Sequence, residues 1–176
     1  ELKCIKQGEE VVIVDFSFKP DVMEEFMFSR EAKVTWLDHH KTAQTYGYSH
    51  RCLGKQEFVE KVSGCELTWD YFYPELPRPA IVSLVGAYDS WRKATGDEEY
   101  IMAGLDLMAP PPDDMQWWGD VLLLDKNADG WMLVKLLDAG KTCVAFRNAT
   151  CRDYLKQYGF ESTLFGMPCF VNGIYR

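Results

Sequence analysis

The sequence predicts an α/β fold built on a parallel sheet, and three observations carry that reading. Val11-Val12-Ile13-Val14 and Lys33-Val34-Thr35-Trp36-Leu37 are short runs rich in β-formers, the pattern of strands buried on both faces. Between them, the stretch Pro20 to Ser29 reads as a helix, with proline first and Asp21 in the first turn. Strand, helix and strand in so short a span is a βαβ unit, whose strands run parallel. Each strand also ends in an acidic residue, Asp15 and Asp38. Ligands of open parallel sheets collect at the carboxyl ends of the strands, so acid and imidazole from two strands are expected on one rim.

The remaining elements follow in order. Gly64 to Tyr73 reads as a helix stopped by Pro74 and the Pro77/Pro79 pair. Pro79 to Tyr88 is a second helix with proline at its start, running into Asp89-Ser90-Trp91. Glu98 to Met108 is a further helix, ended by Pro110-Pro111-Pro112. Asp113 to Leu124 and Asp129 to Ala139 give two more, the second closed by Gly140. An amphipathic run with apolar Cys143, Val144, Phe146 and Leu155 continues to Tyr158, interrupted by polar turns. Beyond Phe160, Gly166 and Pro168 punctuate two strand-like pieces, as in a hairpin.

Composition narrows the function. A chain that is 47% hydrophobic and 26% charged closes a core and lies outside the disordered range. Nineteen Lys and Arg against 27 Asp and Glu leave a net charge of −8. That excludes a protein held on long duplex nucleic acid by a basic surface, but not one that grips a short nucleotide at a few positions. The six cysteines form no CxxC and no zinc-finger spacing, so structural zinc and redox motifs are not indicated. They read as free thiols in a reducing cytoplasm, since no signal peptide is present. The apolar runs are far too short to span a membrane.

Asp38-His39-His40-Lys41 holds two of the three histidines in the chain. A carboxylate at a strand end with imidazole beside it suits ions such as Mn²⁺ that accept mixed oxygen and nitrogen ligands. Asp15 gains meaning from lying level with it, because a carboxylate that bridges two ions is what two-metal hydrolysis needs. Asp89 by itself reads as a capping or surface carboxylate. Three motifs are decoys. Asp125-Lys126-Asn127-Ala128-Asp129-Gly130 imitates half of an EF-hand loop, but Leu136 stands where the bidentate acid belongs. Gly140-Lys141-Thr142 lacks the earlier glycine of a P-loop. Asn148-Ala149-Thr150 fits a glycosylation acceptor, which has no role in a cytoplasmic protein. Trp69, Tyr71, Phe72 and Tyr73 read as helix packing rather than as a base-stacking platform.

Taken together, Val11 to Ser17, Thr35 to Thr42 with its Asp38-His39-His40, and Gly86 to Trp91 with Asp89 resemble the DHH phosphoesterase superfamily. Ser63 to Trp69 is similar to a helix those proteins place between their third and fourth motifs. The nearest branch is that of the nanoRNA and oligonucleotide phosphodiesterases. The resemblance implies a parallel-sheet DHH-type domain over residues 1–110, connecting helices over 111–158, and the beginning of a second, substrate-binding α/β domain over 159–176. It implies that Asp15 bridges two Mn²⁺ ions, with Mg²⁺ as the other candidate, and that His39 and Asp89 bind one of them. Asp38 would support the site, and His40 with Lys41 would meet the substrate phosphate. The implied activity is two-metal hydrolysis of phosphodiester bonds in short oligonucleotides or small nucleotides. The family's first motif is not found in the fourteen residues before Asp15. The chain as it stands is therefore expected to be inactive or nearly so, and its longer parent a hydrolase. The alternatives are a pyrophosphatase- or exopolyphosphatase-like hydrolase, and a non-catalytic nucleotide-binding or interaction module.

Overall fold

A computed structural model describes residues 5–47, 52–54, 56, 61–92, 95–122 and 130–172. Two strands, β1 (Glu10–Val14) and β2 (Lys33–Leu37), are parallel and joined by a right-sized crossover. Their register pairs Glu10 with Lys33 and Val14 with Leu37, so Asp15 and Asp38 leave the sheet side by side. The crossover begins as a helix, α1 (Pro20–Glu24), and widens into a π-helical turn at Glu25–Ser29. It lays Met23 and Met27 on Ile13, Val34 and Trp36 to form one core. The mixed α/β character read from the sequence is thus present, with a small parallel sheet.

Two details of the sheet differ from expectation. Val12 and Val14 are 51% and 43% exposed, so β1 is buried on one face and not on both. Among the described residues β1 hydrogen-bonds along one edge only. β2, by contrast, is an interior strand, with parallel bridges from Thr35 to Leu53 and from Asp38 to Gln56. The bridging passage depends on Gly54, whose φ is +105° and where a Cβ would lie 2.3 Å from the Trp36 carbonyl oxygen. Its short polar-flanked sequence carries no strand signal. After β2 a 3₁₀-helix, Lys41–Tyr46, buries Ala43, and it too was not foreseen.

The helices α2 (Gly64–Phe72), α3 (Ala80–Asp89), α4 (Glu98–Met108) and α5 (Met115–Leu122) lie close to their predicted bounds. Prolines set most of these limits, which is why they were legible. Ile81, Val82, Ile101, Val121, Met132 and Leu136 form a second core across α3, α4, α5 and the last helix. Trp69 packs on this core, whereas Tyr71, Phe72 and Tyr73 are exposed, so only part of that aromatic set serves packing. The EF-hand-like loop of Asp125 to Asp129 lies outside the described residues. The cysteines among the described residues, Cys52, Cys65, Cys143, Cys151 and Cys169, are free thiols.

The largest correction concerns Gly140. It ends no helix; α6 runs unbroken from Trp131 to Tyr158, 28 residues. The glycine is there for contact. A Cβ on Gly140 would lie 1.7 Å from the Tyr100 carbonyl oxygen, and one on Gly104 would lie 2.1 Å from that of Leu136. The backbones of α4 and α6 therefore touch, and glycine's poor helix propensity is outweighed by the approach it permits. Gly140→Ala is expected to destabilise the chain by about 3 kcal/mol through overpacking, read as a lower urea midpoint with an unchanged slope. The chain closes with the antiparallel hairpin β3 (Gly159–Leu164) and β4 (Met167–Asn172) that Gly166 and Pro168 announced. No helix among the described residues is long and apolar enough to cross a membrane.

Candidate metal centre

Asp15 follows β1 in the left-handed region, with φ of +53°. Its amide donates to the Leu37 carbonyl at 2.9 Å, which ties the turn to β2. Such a conformation costs a residue with a Cβ about 1–2 kcal/mol, least for Asp and Asn. The turn directs the Asp15 side chain at the first residue of α2, where a Cβ on Gly64 would be 2.4 Å from Asp15 Oδ1. Gly64 is thus the residue that makes room for the carboxylate.

Asp38 follows β2 and is completely buried. Its Oδ1 accepts from the His39 amide at 2.8 Å, the His40 amide at 3.2 Å and His40 Nδ1 at 2.7 Å. Its Oδ2 accepts from the Ser17 hydroxyl, which in turn accepts from Trp36 Nε1 at 3.1 Å. Burial alone pushes the Asp38 carboxyl upward, but the bonds from Ser17, His40 and the two amides outweigh it and hold the group below the ordinary aspartate range. The same contact from Asp38 raises His40 above the ordinary imidazole value, against the smaller opposing effect of burial. Asp38 therefore acts as a fixed anchor for the backbone of both histidines and for the His40 imidazole. His40 is half exposed, and Lys41, the next residue, is exposed on the 3₁₀-helix.

His39 Nε2 lies 3.1 Å from Asp15 Oδ1 and 3.1 Å from Asp89 Oδ2. It is buried, yet it makes no hydrogen bond of acceptable geometry. Asp89 reaches this point from the last residue of α3, and the three residues thus come from three separate elements. Asp15, His39 and His40 also offer ligand atoms within 4.8 Å of one another. Burial, and then the charge of Asp89, push the Asp15 carboxyl above its ordinary value. An octahedral ion with bonds of about 2.1 Å keeps neighbouring ligand atoms about 3 Å apart. Mixed carboxylate and imidazole donors at this spacing fit a divalent cation of the Mn²⁺ or Mg²⁺ kind. The structure thus brings Asp15, His39 and Asp89 together, where Asp89 read by itself was a capping or surface carboxylate and only the resemblance implied a ligand, and it places His40 nearer the ligand set than a phosphate contact alone would need.

A viral protein shares part of this chain. An uncharacterized protein of Acanthamoeba polyphaga mimivirus is 32% identical over 85 residues, which is 48% of this chain and 20% of that protein. The matched stretch spans about a fifth of that curated relative's length. No family model matches the chain, and no solved structure matches it.

Beneath the centre lies a group that sequence reasoning missed. Glu66 is 1% exposed and binds Arg78 Nη1 at 2.8 Å and Arg92 Nη2 at 2.5 Å. It also accepts from the Ser63 amide at 3.1 Å, closing a capping box on α2. Arg78 makes a second, two-pronged pair with Asp70. A Cβ on Gly86 would lie 2.5 Å from Ser63 Oγ, so α3 crosses directly over this hub one turn before Asp89. The hub therefore fixes both the helix that meets Asp15 and the helix that carries Asp89. The Ser63-x-x-Glu66 spacing was the available signal for it.

Proposed function

We propose that this chain holds a divalent cation, Mn²⁺ before Mg²⁺, and belongs to a DHH-type hydrolase of phosphodiester bonds in short oligonucleotides or small nucleotides. The observation that carries this reading is the buried His39 Nε2 between the Asp15 and Asp89 carboxylates. Asp15, His39 and Asp89 hold the ion, and Asp38 orients His39 and His40 from behind. His40, bonded to Asp38 through Nδ1, offers its other ring nitrogen to a phosphate oxygen, with Lys41 beside it. Bound there, a divalent ion supplies a more acidic water and neutralises charge on the phosphoryl oxygens. The net charge of −8 and the free thiols suit a small substrate handled in the cytoplasm.

A second reading is favoured by one fact. Among the described residues a single cluster of three metal-ligating groups is found, enough for one ion. A non-catalytic nucleotide-binding module needs no more. Because the 176-residue chain alone is expected to turn over little, incubation of the whole protein that carries it with a diribonucleotide or with pyrophosphate in Mn²⁺ separates the possibilities. Release of mononucleotides, stopped by EDTA, is the expected result. Orthophosphate from pyrophosphate alone would make it a pyrophosphatase-like enzyme. Metal-dependent binding of the dinucleotide without turnover would make it a module.

A further inference from the structure

We infer that Trp91, backed by Tyr88, is a stacking shelf for the nucleobase of the phosphoester handled at the Asp15–His39–Asp89 centre. This rests on the phosphoester reading above and adds to it what recognises the rest of the substrate. Trp91 is 87% exposed, so its indole contributes little to the core. It nevertheless sits in the left-handed region, with φ of +58°, a conformation that a glycine would adopt without strain. Strained backbone persists only where its surroundings over-determine it, and it gathers at functional sites. Here the surroundings are firm. The Trp91 amide donates to the Tyr88 carbonyl at 3.1 Å, and the Arg92 amide donates to the Ala87 carbonyl at 2.8 Å. The Arg92 side chain is held by the buried Glu66 and by Ser90 Oγ at 2.7 Å. An exposed indole is thus carried on a firmly held backbone, two residues after Asp89.

That position faces the centre. Asp15, Asp89, Tyr88 and Trp91 line one hollow of about 370 Å³, and Trp91 also walls a second hollow of about 380 Å³ with Arg92 and Glu98. The first hollow brings together, in its lining, carboxylates for a cation-bound phosphate and the aromatic side chains of Tyr88 and Trp91. A nucleobase is neutral, so an acidic surface does not repel it, and stacking on an aromatic face serves every base. The occupant is therefore a base one phosphate away from the cation, with little preference among the four.

The test compares two probes in Mn²⁺ by calorimetry: a diadenylate with a phosphorothioate linkage, and the abasic dinucleotide of the same linkage. Wild type is expected to bind the first more tightly. Trp91→Gly is expected to lose about tenfold to hundredfold in affinity for the base-bearing probe, to bind the abasic probe as wild type does, and to melt no lower. Trp91→Tyr should restore most of the loss. Equal weakening of both probes, no change in either, or a lower melting temperature for Trp91→Gly would overturn the shelf while leaving the phosphoester reading in place. Failure of wild type to bind either probe would remove both.

Discussion

Asp15→Asn is expected to weaken Mn²⁺ binding to the chain by more than about a hundredfold, beyond the ten- to hundredfold typical of losing a supporting residue. The substitution keeps the shape of the side chain and removes its charge. Asp15 is the carboxylate that meets His39 Nε2 at 3.1 Å and also lies 4.0 Å from His40 Nδ1. No other described side chain touches both imidazoles from that side of the rim. Asp38→Asn provides the contrast. Asp38 contacts the imidazoles' backbone and His40 Nδ1 but offers nothing to the space between Asp15 and Asp89. Its loss should cost about ten- to hundredfold in metal affinity and should also lower the melting temperature, because a buried amide cannot satisfy every donor that now points at a carboxylate. Calorimetric titration with Mn²⁺ reads both. Equal, small effects from the two variants would show that the ion, if bound, sits elsewhere.

The second large effect concerns Glu66. Glu66→Gln is expected to cost about 3 kcal/mol of stability, the lower end for breaking a buried ion pair, because Arg78 and Arg92 are each 31% exposed and can be rehydrated. For a chain of 176 residues that is a fall of roughly 10 °C in melting temperature. The same group shapes acid stability. Burial alone would raise Glu66, but the bond from Arg92 and those from Ser63 hold it below its ordinary 4.5. A carboxyl whose value is lowered by folding contributes stability that is fully present above 4.5 and is lost as pH falls below it, through the folded value. Wild type should therefore lose stability steeply on the acid side of 4.5, and Glu66→Gln should show a flatter acid limb.

Much of the centre was legible because it lies where strands and helices end. β-branched runs marked β1 and β2, each ran into an aspartate, and the parallel pairing then brought Asp15 and Asp38 to one rim. Asp89 was harder. Its helix was visible, but only the packing of Gly86 over Ser63 and Glu66 turns its last residue toward His39. Gly140 misled for a related reason. Glycine is both a helix terminator and the residue that lets two helices touch, and local sequence does not distinguish these uses. The passage through Leu53 and Gln56 was invisible because two isolated bridges leave no alternation to read. The one-sided burial of β1 is a tertiary fact that an apolar run cannot report.

The contact of Gly104 with Gly140 also has a mechanical side. α6 is held against α4 as far as Arg147, which pairs with Glu99, and continues for roughly 17 Å beyond it at 1.5 Å per residue, carrying the β3–β4 hairpin at its tip. A continuous helix resists bending, so the hairpin moves with the helix as the outer end of a lever. A rotation of about 5° where the two helices part displaces the base of the hairpin by about 1.5 Å, by the geometry of an arm of that length. The placement of the chain's last two strands is thereby set by how tightly two backbones meet a long way from them.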